Sequence, residues 1–378
     1  MQRLIRSVVA LLSVVAATAV YSAGAGAATG SFGRSSSHVV FVQNDSVAGN
    51  QVVAYDRAPD GSLTQAGTYA TGGLGGVLAG SVVDHTASQG ALAYDRANNL
   101  LFAVNAGSNS VSVFAVHDDQ LTLEQVIASG GVFPVSVTVS RNVVYVLNAR
   151  NGGSLQGYRV LLGRLFALPG STRLLGLDPA ASPEFTTTPG QVLFSPDGRQ
   201  LLVTTKANGS AIDVYAVDVV GYLSASPRVN ADPGAVPFAA TFDREGTLVV
   251  AEAGTNSLAT FALASDGTIA LLGRATTGQA ATCWVAAARQ FFYASNAGSA
   301  SLSGFRDDHG GQLTPLGNTQ TDPGTVDADV SSDGRFIYVQ SGATGKVDAF
   351  AINPDGGLDP IGAVTVPGAV GGEGIVAL

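Results

Sequence analysis

Phe102-Ala-Val-Asn-Ala-Gly-Ser-Asn-Ser-Val-Ser-Val-Phe114 decides the architecture, because the chain keeps returning to the same phrase. Its clearest further copies are Val249-Val-Ala-Glu-Ala-Gly-Thr-Asn-Ser-Leu-Ala-Thr-Phe261 and Phe292-Tyr-Ala-Ser-Asn-Ala-Gly-Ser-Ala-Ser-Leu-Ser-Gly-Phe305. Each is a β-rich run, a Gly/Ser/Asn turn and a second run of alternating apolar residues, which is the pattern of a hairpin. Seven copies align, and one residue closes the first run of each: Asn44, Asn105, Asn148, Lys206, Glu252, Asn296 and Ser341. Their spacings are 61, 43, 58, 46, 44 and 45 residues. A β-rich repeat of about 45 residues predicts propeller blades rather than a helical solenoid.

The rest of a four-stranded blade surrounds each hairpin. A short strand and tight turn precede it, as in Val192-Leu-Phe-Ser-Pro-Asp-Gly-Arg199 and Asp329-Val-Ser-Ser-Asp-Gly-Arg335. A second polar turn and a fourth strand follow, at Asp60-Gly61, Asp266-Gly267 and Asp355-Gly356. Asp-Gly recurs because two-residue turns need positive φ angles. The two long spacings hold insertions, Thr71–Gln89 and Gly170–Pro189, whose Gly, Ser, Thr, Pro and Ala content reads as surface loop. The first copy starts at His38 with no strand ahead of it, and Glu373-Gly-Ile-Val-Ala-Leu378 reads as a first strand with no hairpin behind it. Joining them completes one blade and removes the open edges. The expectation is an all-β, seven-bladed propeller over residues 38–378, closed by the C-terminal strand in the N-terminal blade.

Composition is consistent with this. Charged residues make up 12% of the chain, about half the usual quarter, and there are 48 glycines for tight turns. The formal charge is −9, and the only lysines are Lys206 and Lys346, which argues against nucleic acid or anionic membrane as partner. Residues 1–27 read as a signal peptide: Arg3 and Arg6, an apolar run from Val8 to Val20, then Ala25-Gly-Ala27 for cleavage. The mature chain would start near Ala28, with a flexible segment over 28–37, no transmembrane segment and a secreted, monomeric product. Cys283 is the one cysteine, so no intramolecular disulfide can form. Its setting in Ala281-Thr-Cys-Trp-Val285 predicts an inner strand and a buried, inert thiol.

The ordered set of blade phrases resembles the seven-bladed lactonase family, which includes 6-phosphogluconolactonase and carboxymuconate cyclase, over nearly all of Val39 to Leu378. Its most specific stretches are Gln191-Val-Leu-Phe-Ser-Pro-Asp-Gly-Arg-Gln-Leu-Leu-Val203, Asn148-Ala-Arg-Asn-Gly-Gly-Ser154 and Asp232-Pro-Gly-Ala-Val-Pro-Phe-Ala-Ala-Thr-Phe242. The resemblance implies a lactone-opening site with a Pro-His-x-His element leading into blade four, Pro-Arg-His leading into blade five and Asn-Arg-Gly in blade six. The corresponding stretches here are Phe185-Thr-Thr-Thr-Pro-Gly-Gln191, Pro237-Phe238-Ala239 and Asn296-Ala297-Gly298. Glu252 matches the family's acidic residue at the end of the second strand of blade five. Lactone opening needs a base to activate water and cations to hold the substrate's anionic group, so these departures imply a degenerate site.

First strands line a propeller's channel, and the loops leading into them form the upper mouth with the second-strand ends. That mouth is expected to gather the seven aligned residues with His85, Phe133, Thr187, Gln191, Phe238, Trp284, Asp327 and Glu373. Lys206 and Glu252, in adjacent blades, are the candidate catalytic pair, with an ion pair as the plainer reading. His85, Asn105, Asn148, Gln191, Phe238, Trp284 and Asn296 are candidate ligand contacts. The asparagines also suit strand ends for conformational reasons alone. His117 beside Asp118-Asp119 and His309 after Asp307-Asp308 read as solvated turns, so no metal and no cofactor is expected. Together these readings predict a binder of a small molecule or glycan at the channel mouth. The alternative is a 6-phosphogluconolactonase-like lactone hydrolase using Glu252.

Overall fold

In the computed structural model, which describes residues 38–308 and 310–378, every repeat forms a four-stranded antiparallel sheet. The signal-peptide reading and the segment 28–37 fall outside the described residues. Blade 2 shows the pattern: Leu92–Asp95, Leu100–Asn105, Ser110–His117 and Gln120–Ala128 pair in sequence order, innermost strand first. Blade 3 carries one extra short strand, Arg173–Leu174, paired with the start of its third strand.

Ring closure follows the sequence reading. Ile375–Ala377 pairs antiparallel with Val39–Gln43 and serves as the first strand of blade 1. Leu378 N donates to Val39 O, and Gln43 N donates to Gly374 O. The first and last described strands therefore meet inside one sheet, which closes the seam of the ring.

The inner strands and their neighbours are apolar on both faces because each blade is covered on both sides. Phe102, Val104, Val144 and Val146 fill the junction between blades 2 and 3. Phe41, Ala54, Leu101 and Phe114 fill that between blades 1 and 2, and Val40, Val53, Tyr338 and Val347 join blade 7 to blade 1. Alike clusters form at the other junctions. Second-strand tyrosines bolt some of these junctions. Tyr145, Tyr293 and Tyr338 donate to Gly221 O, Gly356 O and Gly61 O, each in the outer turn of the next blade.

The first insertion corrects the sequence reading. Leu74, Val77 and Val82 stay exposed, but the end of the insertion does not lie on the surface: Asp84, Thr86, Ala87 and Ser88 are buried. Ser88 Oγ donates to Val135 O of blade 3, while Gln89 exchanges two hydrogen bonds with the Val285 backbone of blade 6. A segment that touches the first strands of blades 3 and 6 together must cross the channel axis. Its composition read as loop because a plug, like a loop, has no periodic face; its own polar atoms and the channel wall satisfy its backbone instead.

Candidate functional site

The residues at the ends of the second strands are all at most 1% exposed, and most of them serve their own hairpins. Asn105 Nδ2 donates to Ser110 Oγ and Ser112 Oγ, and Asn296 Nδ2 repeats the bonds with Ser301 Oγ and Ser303 Oγ. Asn148 Nδ2 donates to Ser129 O. In the same register Glu252 Oε2 accepts from Ser257 Oγ at 2.7 Å. The repeat thus uses this position as a clasp between the second strand and the third.

Lys206 leaves the pattern. Its backbone is left-handed at φ 48°, and it begins a short helical turn, Lys206–Gly209, two residues beyond the strand end at Thr204. The fully buried side chain runs inward, and Nζ donates to Ala87 O (2.7 Å), Phe185 O (2.7 Å) and Thr188 Oγ1 (3.1 Å). Desolvation pushes the amine down to about 7, while nearby Asp84 opposes that shift. Three oxygen acceptors match the three donors of an ammonium group.

Lys206 and Glu252 are therefore not partners, which corrects the expected contact between them. Glu252 is taken by Arg274: Nη2 donates to Oε1 at 2.8 Å, and Nε lies 2.7 Å from Oε2. The same guanidinium reaches Asp232 at 2.8 Å. Burial raises the Glu252 carboxyl, and the hydrogen bonds from Arg274 and Ser257 work against that rise. Sequence spacing placed both residues at second-strand ends, but a two-residue difference in where the strand stops turned Lys206 inward.

The plug collects most of the remaining candidates. Trp284 Nε1 donates to Ser88 O at 2.6 Å, and its ring meets Phe238 edge-on at 4.9 Å. Lys206 Nζ stands 5.2 Å from the Phe238 ring centroid. His85, half-buried, donates its backbone N–H to Gly371 O, and burial lowers its imidazole. Gln191 Oε1 accepts from Ala240 N at 2.6 Å, so it bridges blades 4 and 5. Cys283 lies near Lys206 and Asp84, and desolvation pushes its thiol up to about 12. The plug also needs glycine opposite it: a Cβ on Gly342 would stand 1.7 Å from Val83 O. Gly342→Ala is expected to cost about 1–3 kcal/mol of stability by displacing the plug backbone, measured by urea unfolding.

Beneath the plug lie buried carboxyls. Asp84 accepts the backbone N–H groups of Thr86, Ala87 and Ser88 and so shapes the plug's tip. Glu373 accepts from Gly90 N, its other oxygen lies 3.3 Å from the Thr86 and Ser88 hydroxyl oxygens, and it shares a hydrogen bond with Asp327. Desolvation, then the charges of Asp327, Asp84 and Asp45, raises Glu373 well above the usual carboxylate range. Asp45 and Asp327 are each raised to about 7, chiefly by burial. Among the described residues no group of three or more His, Cys, Asp or Glu is arranged to hold a metal ion.

A cleft of about 160 Å³ is open on the upper face, between the hairpin of blade 3 and the second insertion. Arg150, Asn151, Asp178, Glu184, Thr187 and Asn208 line it. Arg150 binds Glu184 in a fork, Nε to Oε1 at 2.6 Å and Nη2 to Oε2 at 3.1 Å, over the face of Phe133 at 4.2 Å. The Arg150 guanidinium holds the Glu184 carboxyl below its usual range. Glu184 opens a single helical turn, Glu184–Thr187, and also accepts Ala79 N at 2.7 Å, which ties the second insertion to the plug. Of these residues the sequence reading placed only Thr187 at the mouth. The Arg150-Asn151-Gly-Gly hairpin was the available signal for the rest.

The family model described as "Lactonase, 7-bladed beta-propeller" matches residues 191–371. Among solved structures, a candidate 6-phosphogluconolactonase of Bacteroides fragilis is 17% identical, covering 91% of this chain and 99% of its own, with a TM-score of 0.70. A second, from Bacteroides uniformis, is 15% identical over 90% and 99%, with a TM-score of 0.72. The periplasmic gluconolactonase of Pseudomonas aeruginosa is 18% identical over 90% and 98%, with a TM-score of 0.69. At such identities the likeness is one of fold. No curated protein matches the sequence.

Proposed function

We propose that the chain, whose residues 191–371 match the model of the seven-bladed lactonase propellers, is an exported member of that family with a degenerate active site that binds a small polyhydroxylated molecule, a sugar or glycan end, on its upper face. The observation that carries this reading is the division of that face. The channel mouth is filled by the plug, whereas the Arg150 cleft is open and presents the Asn151 amide, the Asp178 carboxylate and the Arg150–Glu184 fork, with Asn208 held by the Asp178 backbone and the Thr187 hydroxyl by Ala181 O. Its volume of about 160 Å³ suits one compact ring rather than a drug-sized ligand. Export is supported by the order of basic, apolar and small residues over 1–27.

The second reading is lactone hydrolysis through Glu252, favoured by its raised carboxyl beside Arg274 and by the names of the structural neighbours. Against it, both oxygens of Glu252 are engaged and the side chain is fully buried. A general base must reach the proton it abstracts.

Titration calorimetry with monosaccharides and aldonates, run beside a pH-stat assay on a panel of lactones, separates the two. Binding of a neutral sugar, weakened about fivefold in Arg150→Ala and Asn151→Ala, is expected, since one lost hydrogen bond is worth about 1 kcal/mol. Lactone turnover that disappears in Glu252→Gln would reject the binding reading.

A further inference from the structure

On the lower face two clefts adjoin, of about 290 and about 190 Å³, and both are lined by Asp243, Arg244 and Arg289. They lie between the first-to-second-strand turns of blades 5 and 6, and the larger reaches the corresponding turn of blade 7. Its floor is Phe242, Ala288 and Val330, and Ser332 stands at its rim. The smaller cleft ends at Asp307, where the third strand of blade 6 stops.

Two basic groups here lack an acidic partner. Arg57, Arg150, Arg199, Arg274, Arg306 and Lys346 all sit in ion pairs. Among the described residues Arg244 and Arg289, like seven other arginines, have no ion pair, and these two line the same groove; the only hydrogen bond of the Arg289 guanidinium goes to Asp333 O. Asp243 spends Oδ1 on its own turn, accepting Glu245 N and Thr247 N. Asp307 Oδ1 is shielded from solvent without a hydrogen-bond partner. Burial, the neighbouring charge of Asp243 and a hydrogen bond shared with it raise the Asp307 carboxyl, and the Gly311 N–H that the carboxyl accepts works against that rise, so Oδ1 alone is left over. A shielded carboxylate oxygen without a donor carries a desolvation cost that an incoming donor removes.

We propose that this lower groove is a second binding site, for a small zwitterion of the amino-acid class. The ligand's carboxylate lies between Arg244 and Arg289, its ammonium group donates to Asp307 Oδ1, and its aliphatic part covers Phe242 and Val330. A carboxylate alone would gain the guanidinium contacts but leave Asp307 Oδ1 without a donor, and an amine alone would do the reverse. Both ends must be present for the groove's charges to be matched.

The test is a ligand-observed NMR titration with ω-amino acids from glycine to 6-aminohexanoate, beside the matching carboxylic acids and alkylamines. At least one amino acid is expected to bind with a Kd of about 1 mM or tighter. The acid and amine of the same length should bind roughly tenfold more weakly or worse. Arg244→Ala, Arg289→Ala and Asp307→Asn, checked for an unchanged melting temperature, should each lose about tenfold, whereas Arg228→Ala, an exposed arginine outside both clefts, should lose nothing. Absence of binding by every amino acid up to about 20 mM overturns the proposal. So does equal binding of the plain carboxylic acid, or an equal loss in Arg228→Ala.

Discussion

A chain ending at Gly374 is expected to lose most of its stability, not merely one strand. Ile375, Val376 and Leu378 are each at most 8% exposed, and their removal uncovers Val40, Phe41 and Val42 on the strand they pair with. Burying an aliphatic side chain contributes about 1.5–3 kcal/mol, so three of them account for roughly 4.5–9 kcal/mol before hydrogen bonds are counted. That approaches the whole stability of an ordinary domain, about 5–15 kcal/mol. Polar losses add to it. Arg57 Nη2 would lose its bond to Leu378 O, and Asp329 would lose the Ala377 N–H that it accepts while buried. Because Ile375, Val376, Ala377 and Leu378 also belong to the packing at the two junctions of blade 1, the damage spreads around the ring. Thermal unfolding followed by circular dichroism checks this. A truncated chain that melts at the parent's midpoint would mean that the terminal strand does not close the ring.

The second large effect is a fall in stability as pH rises from about 4 to about 7. Asp45 and Asp327 are each raised to about 7 and Asp329 to about 6, all chiefly by burial, and Asp84 and Glu373 are raised for the same reason. An unfolded chain releases these protons near pH 4, whereas the folded chain keeps them. Where the folded state holds more protons, stability falls with rising pH, by about 1.4 kcal/mol per pH unit for each proton retained. Lys206 acts in the opposite direction above that window. Its folded value of about 7 lies below its unfolded one, so between about 7 and 10.5 the unfolded chain binds the extra proton and stability recovers. A minimum near neutrality is the expected outcome. Melting temperatures at constant ionic strength from pH 4.5 to 9 would show it, and Asp327→Asn should flatten the acid limb by removing one retained proton. A melting temperature that climbs between pH 5 and 7 would contradict the burial of these groups.

The seven blades, their order and the closure of the ring were legible along the chain because they depend on local rules. Alternation with period two, Asp-Gly turns and a fixed repeat length are written in consecutive residues. Trp284 and Phe238 were likewise found from their place at the start of inner strands. The clasps were half legible: alignment found Asn105, Asn148, Glu252 and Asn296, but not that Ser110, Ser257 and Ser301 would occupy three of them.

Tertiary structure alone decided which polar residues are free. Nothing local says that residues 71–89 cross the channel, since their partners are Val135, Lys206, Trp284 and Glu373, far away in sequence. Nor does spacing show that Lys206 turns inward to three oxygens while Glu252 is claimed by Arg274. A side chain's chemistry depends on what desolvates and pairs it, and in a ring those neighbours come from other blades. The sequence by itself determined the backbone frame, because turn and strand preferences act over a few residues. The open Arg150 cleft and the filled channel mouth were decided only when distant segments competed for the same buried hydrogen-bonding groups.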